Sequence, residues 1–144
     1  MIIPTLDQIV AINTHVKYAD EDFAEPDDLK IVEDILNRAS GINNPIDAAS
    51  FLLARIAKAQ AFAEGNKRTA RCAAYLTLKA NGVDPTKILP RNDIRLNELL
   101  VRASVGEDIH ERVVTLMRGR LPPQLSLDLV AQEPASEPEP ELGL

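Results

Sequence analysis

Phe62-Ala63-Glu64-Gly65-Asn66-Lys67-Arg68-Thr69 concentrates the chemistry of this chain, with a carboxylate, a glycine, a carboxamide and two cations in eight residues. The stretch lies between two Ala-rich helical runs, Ala48–Ala61 and Thr69–Ala80. The second run must begin at about Asn66, so its first backbone N–H groups open into the loop. A helix N-terminus carries unpaired donors and about half a positive charge, and so attracts anions. Gly65 permits the close backbone approach that a phosphate cradle needs. Lys67 and Arg68 add a point charge and a forked donor, while Glu64 can hold a divalent metal bridging phosphates. The plain alternative is a solvated inter-helix turn with Asn66 as its N-cap. A nucleotide-binding P-loop is excluded. That motif follows a strand and has lysine directly after its glycine and Ser or Thr directly after the lysine. Here a helix precedes, Asn66 follows Gly65, and Arg68 follows Lys67.

The elements that must position this loop read as helices. Thr5 with Gln8 has capping-box spacing, and Leu6, Ile9, Val10 and Val16 continue an approximate helical stripe to near Tyr18. An acidic loop, Asp20–Asp28, leads to a second helix from Asp28 to about Ala39, stopped by Gly41. Asn44-Pro45 reads as N-cap and first helical position of a third, running to about Ala61. Its apolar residues spread around much of the circumference, which predicts a central helix. The fourth spans about Asn66 to Asn81, with small residues that allow close helix approach and a stop at Gly82. Pro85 and Pro90 punctuate a loop. A fifth helix is predicted over about Asp93–Ala103 and a sixth over about Glu107–Arg118.

Composition narrows the function classes. The 144 residues make one domain by length, and 45% apolar with only 3% aromatic content puts the core on Ala and Leu, as in packed helices. The expected fold is all-α, a compact bundle of about six helices over residues 1–120, followed by an acidic, Pro-rich tail over 121–144. That tail is expected to be disordered, holding five of the ten prolines, five acids and no base. Without those acids the body has 16 basic against 17 acidic residues. It therefore lacks the broad basic footprint of a nucleic-acid binder, and no direct nucleic-acid partner is expected. No apolar run reaches a membrane span and the N-terminus lacks a signal peptide's pattern, so a cytoplasmic, non-membrane protein is expected. The single cysteine, Cys72, fits a buried structural thiol in a reducing compartment. His15 and His110 lie far from the loop in sequence and are expected to face solvent.

Gln60-Ala61-Phe62-Ala63-Glu64-Gly65-Asn66-Lys67-Arg68-Thr69-Ala70-Arg71 resembles the signature of the Fic/Doc (death-on-curing) family, His-x-Phe-x-[Asp/Glu]-[Gly/Ala]-Asn-[Lys/Gly]-Arg-x-x-Arg. Every defined position fits except the first. A weaker resemblance extends over about residues 1–120 and points to the short, Doc-like branch. The family transfers part of a nucleotide onto protein hydroxyls. Most members move AMP from ATP, whereas Doc-like toxins move the γ-phosphate to elongation factor Tu and stop translation. The resemblance implies ATP and Mg²⁺ as cofactors, with Glu64 as metal ligand. It implies an anion hole from Gly65 and Asn66, phosphate contacts from Lys67 and Arg68, and Arg71 reaching a terminal phosphate. Phe62 would anchor the loop in the core. Phosphoryl-type transfer is mostly positioning and charge stabilisation, so these roles agree with the loop's own chemistry.

The family's general base is the histidine replaced here by Gln60. A carboxamide cannot take a proton near neutral pH, and losing a positioned base typically costs ~10²–10⁴-fold in rate. Transfer is therefore expected to be impaired or absent, with phosphate and metal binding retained. Two accounts stay open. The substitution was introduced so that a toxic protein could be produced, or this is a natural member that keeps binding and has lost or altered transfer. Lys67 and the short chain favour phosphate transfer, while Arg71 matches the second arginine of AMP-transferring members. No inhibitory helix of the Ser/Thr-x-x-x-Glu-[Gly/Asn] kind is present, so the resemblance implies a separate, cognate, Phd-like antitoxin as partner. A translation factor such as elongation factor Tu is the implied protein substrate. A non-catalytic nucleotide- or antitoxin-binding pseudoenzyme is the main alternative.

Overall fold

Local signals place the helix starts. Thr5 and Gln8 close a capping box, the Thr5 N–H donating to Oε1 of Gln8 at 2.9 Å and the Gln8 N–H to Oγ1 of Thr5 at 3.2 Å. α1 follows as Leu6–Val16. Asp28 caps α2 (Leu29–Ala39) by accepting from the N–H of Ile31. Asn44 caps α3 (Pro45–Ala59) by accepting from the N–H of Asp47 at 2.8 Å, with Pro45 at the first helical position. α4 is Asn66–Ala80, and Gly82, at φ 81°, takes the left-handed turn beyond its end. These observations come from a computed structural model that describes residues 1–16 and 27–121. The predicted end of the first helix at Tyr18, most of the acidic loop 20–28 and the tail beyond Leu121 lie outside the described residues.

The expected all-α fold is what the chain adopts, with no strand among the described residues. The helix count changes. Pro85 starts a short helix instead of breaking one: Asp84 accepts from the N–H of Thr86 and caps α5 (Pro85–Ile88). A proline at a first helical position loses no hydrogen bond, which is why this turn survives. α6 is Ile94–Ser104, capped by Asp93 through the N–H of Leu96. α7 is His110–Arg118, starting three residues later than predicted because Asp108 accepts from the His110 N–H and holds the preceding turn open.

α3 is central, as its apolar circumference predicts. It packs most extensively on α4 and also touches α2, α6 and α7, while α1 lies on α4. Leu52, Leu53, Ile56 and Ala57 of α3 are fully or almost fully buried, as are Ala70, Ala73, Ala74 and Leu78 of α4. Small side chains on the facing surface let the two backbones approach closely, which allows a six-residue connection, 60–65, between them. Among the described residues no helix is long and apolar enough to cross a membrane.

His15 is exposed as expected, but His110 is not a solvent-facing residue. It is half-buried and edge-on to Phe51, ring centroids 5.4 Å apart at 85°. Phe51 also carries the guanidinium groups of Arg38 and Arg55 at 5.2 and 5.4 Å from its centroid. Burial, reinforced by Arg55, lowers the His110 pKa from its ordinary value, with Asp108, Asp47 and Glu111 opposing. A histidine held neutral by the fold binds fewer protons than the unfolded chain does, so its contribution is complete above the ordinary pKa of about 6.5 and is lost as pH falls. We expect the His110 imidazole to titrate below 6.5 by NMR. The urea midpoint should fall as pH drops below about 6.5, and less so in His110→Gln.

Candidate active site

The loop between α3 and α4 is built from backbone turns that its sequence makes available. Gln60 ends α3 in the left-handed conformation at φ 52°, ψ 41°. For a residue with a Cβ this costs of order 1 kcal/mol or more, so the surroundings must hold it. Its own side chain helps, with Nε2 donating to the carbonyl of Ala57 at 2.7 Å and thereby satisfying one of the open carbonyls of the last turn. Gly65 makes the second left-handed step, at φ 80°, and is the N-cap of α4. Having no side chain, it leaves that cap without a side-chain hydrogen bond. Asn66 is therefore the first helical residue and not the cap.

Between these turns Ala61 and Phe62 are buried, 5% and 3% exposed, which fixes the loop to the core as expected for Phe62. Asn66 locks it. Its Oδ1 accepts from the Phe62 N–H at 3.0 Å and its Nδ2 donates to the Phe62 carbonyl at 2.8 Å, so one carboxamide satisfies both backbone groups of the anchor. The same Nδ2 lies 3.4 Å from Oε1 of Gln60. The structure thus brings Gln60, Phe62 and Asn66 together as one hydrogen-bonded unit. The side chain of Asn66 is occupied inside the loop, and the backbone N–H groups of the first turn are what the helix mouth offers to an anion.

A residue not anticipated from the sequence completes the support. Asn13 of α1 is buried, and its Nδ2 donates to the Glu64 carbonyl at 2.8 Å and to Oγ1 of Thr69 at 3.1 Å. It ties the loop and the first turn of α4 to a neighbouring helix. The signal was available: Asn13 sits four residues after Ile9 and three before Val16, so it interrupts an otherwise apolar face. A polar side chain in that place needs a buried partner.

The cations reach different neighbours. Lys67 is exposed. Arg68 is exposed too, and its guanidinium donates to the Val16 carbonyl at 3.0 Å, at the negative end of α1. Arg71, one turn further on, is partly buried and donates to the Pro90 carbonyl between α5 and α6. Burial pulls the Arg71 pKa down, Asp93 opposes this and Arg120 adds to it. Asp93 is ion-paired with Arg120, which also donates to the Ile88 carbonyl. Arg71 therefore belongs to a cluster that braces α4 against α5, α6 and the end of α7, and its other terminal nitrogen is buried without a hydrogen-bond partner. Cys72 is half-buried, and burial raises its pKa, which keeps the thiol protonated and unreactive.

Glu64 is partly exposed at the loop's end. Among the described residues no group of three His, Cys, Asp or Glu side chains could hold a metal by itself. One carboxylate at an anion-attracting helix mouth nevertheless suits Mg²⁺, which is commonly held by one or two carboxylates together with a substrate's phosphates and water. The donor set fits a metal that arrives with a nucleotide and does not fit a preformed protein cage.

The result is an all-α domain whose central helix pair is joined by a glycine-turned loop, opening on a helix N-terminus without a side-chain cap, with acidic and basic side chains beside it. The family model described as Fic/DOC matches residues 5–78, half of the chain, and this chain belongs to that family. The match includes α1 with Asn13 as well as the whole loop. Fic/Doc proteins generally bind a nucleotide and modify proteins with it. No curated protein and no solved structure matches the chain.

The role of Asn13 is testable. Asn13→Ala leaves the Glu64 carbonyl and the Thr69 hydroxyl without their buried donor and should cost about 1–3 kcal/mol in urea denaturation. Amide exchange over residues 62–66 should accelerate beyond what the global loss of stability accounts for.

Proposed function

We propose that this chain is a Doc-like toxin of a toxin–antitoxin pair, with the loop 60–71 as its ATP·Mg²⁺ site. The transferred group is the γ-phosphate and the acceptor a hydroxyl on a cytoplasmic translation factor of the elongation factor Tu kind. Its antitoxin is a separate, Phd-like chain. The observation that carries the reading is the uncapped N-terminus of α4, entered through Gly65 at φ 80° and flanked by Glu64, Lys67 and Arg68. In this mechanism the N–H groups of the first turn of α4 bind phosphate oxygens, and Lys67 and Arg68 balance their charge. Asn66 keeps the loop in shape through Phe62. Glu64 would hold a Mg²⁺ that arrives with the nucleotide, and the chemistry such an ion would supply there is neutralisation of phosphate charge. One terminal nitrogen of Arg71 is held by the Pro90 carbonyl and the other is buried, which supports assigning it to the brace first.

Position 60 sets the rate. A base there must remove the acceptor's proton as the phosphoryl group transfers, and a carboxamide cannot. Gln60 instead closes the end of α3 and lies beside Asn66. The left-handed backbone at this position is one that histidine adopts more readily than most residues, so a histidine fits without rebuilding the turn. A second reading, a pseudoenzyme that binds nucleotide or antitoxin without transfer, draws support from the same two contacts, since they give Gln60 a structural task.

The deciding experiment gives the parent and Gln60→His a translation-factor preparation with ATP labelled at either the α or the γ position. We expect label from γ alone, ~10²–10⁴-fold faster in Gln60→His than in the parent. Label from α alone would replace the kinase by an AMP-transferase. Nucleotide binding by both chains with transfer by neither would establish the pseudoenzyme. Expression of Gln60→His without an antitoxin should arrest growth, and expression of the parent should be tolerated.

A further inference from the structure

α6 carries apolar side chains on two sides. Leu96, Leu100 and Ala103 are buried against the core. Ile94, Val101 and Val105, the last at the helix's C-terminal cap, are 75%, 54% and 82% exposed. At 3.6 residues per turn these three lie within about 40° of one another and roughly 150° from the buried face. They form one stripe along the part of the helix furthest from the core, where a solvated helix places polar residues. Single apolar residues scattered over a surface need no explanation, whereas an aligned row points to a contact face.

The charges beside the stripe decide which partner fits it. Arg95, Glu98 and Arg102 follow one flank of α6, all exposed, and Glu107 joins that flank 3.7 Å from Arg102. The order Arg, Glu, Arg, Glu is its own complement when reversed, each cation falling where an acid stood. In an antiparallel pair related by a two-fold axis, each flank meets the same flank of the other copy. Glu98 then faces Arg102 of the second copy, and Arg95 faces its Glu107. The axis passes beside residue 100, so the two Val101 side chains adjoin across it and Ile94 meets Val105 of the second copy. Asn97 and Ser104 take matching places on the opposite, uncharged flank. A parallel copy would set like charges against like, and a partner of uniform sign would be repelled by half of the row. Within the chain, Arg102 and Arg112 share Glu107 at 3.7 and 3.6 Å in pairs about half exposed, which contribute little and yield readily. A contact centred on one helix of 11 residues, about 16 Å long, covers less than the roughly 800 Å² per partner of a standard interface, so the pair is weak and concentration-dependent.

We propose that the outer face of α6 is a self-association surface, on which two copies of this chain pair antiparallel about a two-fold axis. Ile94, Val101 and Val105 form the centre of the contact, and Glu98 and Arg102 pair across its rim in both directions. The surface lies outside the loop at 60–71, and the pairing holds whether or not that loop transfers phosphate.

The test measures sedimentation of the full chain from ~10 to ~500 µM, a range that brackets weak association. The expected result is a monomer–dimer equilibrium within it, with concentration-dependent amide shifts clustered on residues 94–105. Glu98→Arg and Arg102→Glu each set like charges across the axis, and each alone should weaken pairing by ~tenfold or more. Mixed in equal amounts, the two variants should pair again, because every contact across the rim is then opposite in sign. Both positions are exposed, and melting curves check that each variant stays folded. A chain that remains monomeric throughout the range would overturn the proposal and leave the stripe to a different protein. Dimers that neither charge reversal weakens, or that mixing does not restore, would overturn it by placing the contact elsewhere.

Discussion

Close approach of α3 and α4 is the constraint on which the site depends. The alanines of α4 and the tightly packed face of α3 bring the two helices near enough for six residues to join them. A connection that short has little freedom, and two left-handed residues, Gln60 and Gly65, turn it. With the turn fixed, the Phe62 backbone falls where one carboxamide, that of Asn66, can satisfy both of its polar groups. The helix mouth stays open because the residue capping it has no side chain to offer. Replace the small residues between the helices with large ones, and the loop's geometry is lost before any functional group is touched.

Tension between stability and chemistry is visible in how the polar residues are employed. Asn13 and Asn66 are buried and spend their hydrogen bonds on loop backbone, which is positioning. Arg71 is drawn into a brace with Pro90, Asp93 and Arg120, at a cost in burial that lowers its pKa. Lys67 and Arg68 remain at the surface, where a charge costs little to keep and is accessible to a ligand. The division is physical: groups close to the α3–α4 seam hold shape, and groups one step outside it carry charge.

Most of the framework was legible in the sequence because it rests on local rules. The Thr5–Gln8 box, the Asn44-Pro45 start, the stop at Gly82 and the central place of α3 each follow from residues a few positions apart, and each is present. The misses share a different cause. α5 is hidden in the sequence because proline usually punctuates a loop, although Asp84 before it makes Pro85 a good first helical residue. The burial of His110 is not legible locally because its environment is Phe51, almost sixty residues away in sequence. The Arg71 brace depends on a carbonyl in another connection. Asn13 alone was within reach, since a lone polar residue on an apolar helical face announces a buried partner. The loop's chemistry was legible as residue types, while the use of the Asn66 carboxamide was not, because only the folded loop shows which groups it meets.

The left-handed turn at Gln60 has a genetic corollary. The backbone there is set by the end of α3 and by Asn66, and it suits histidine as well as glutamine. Codons for these two amino acids differ by a single base in the third position. The same turn therefore accepts, a lone transversion apart, a side chain that cannot take a proton near neutral pH and one that can.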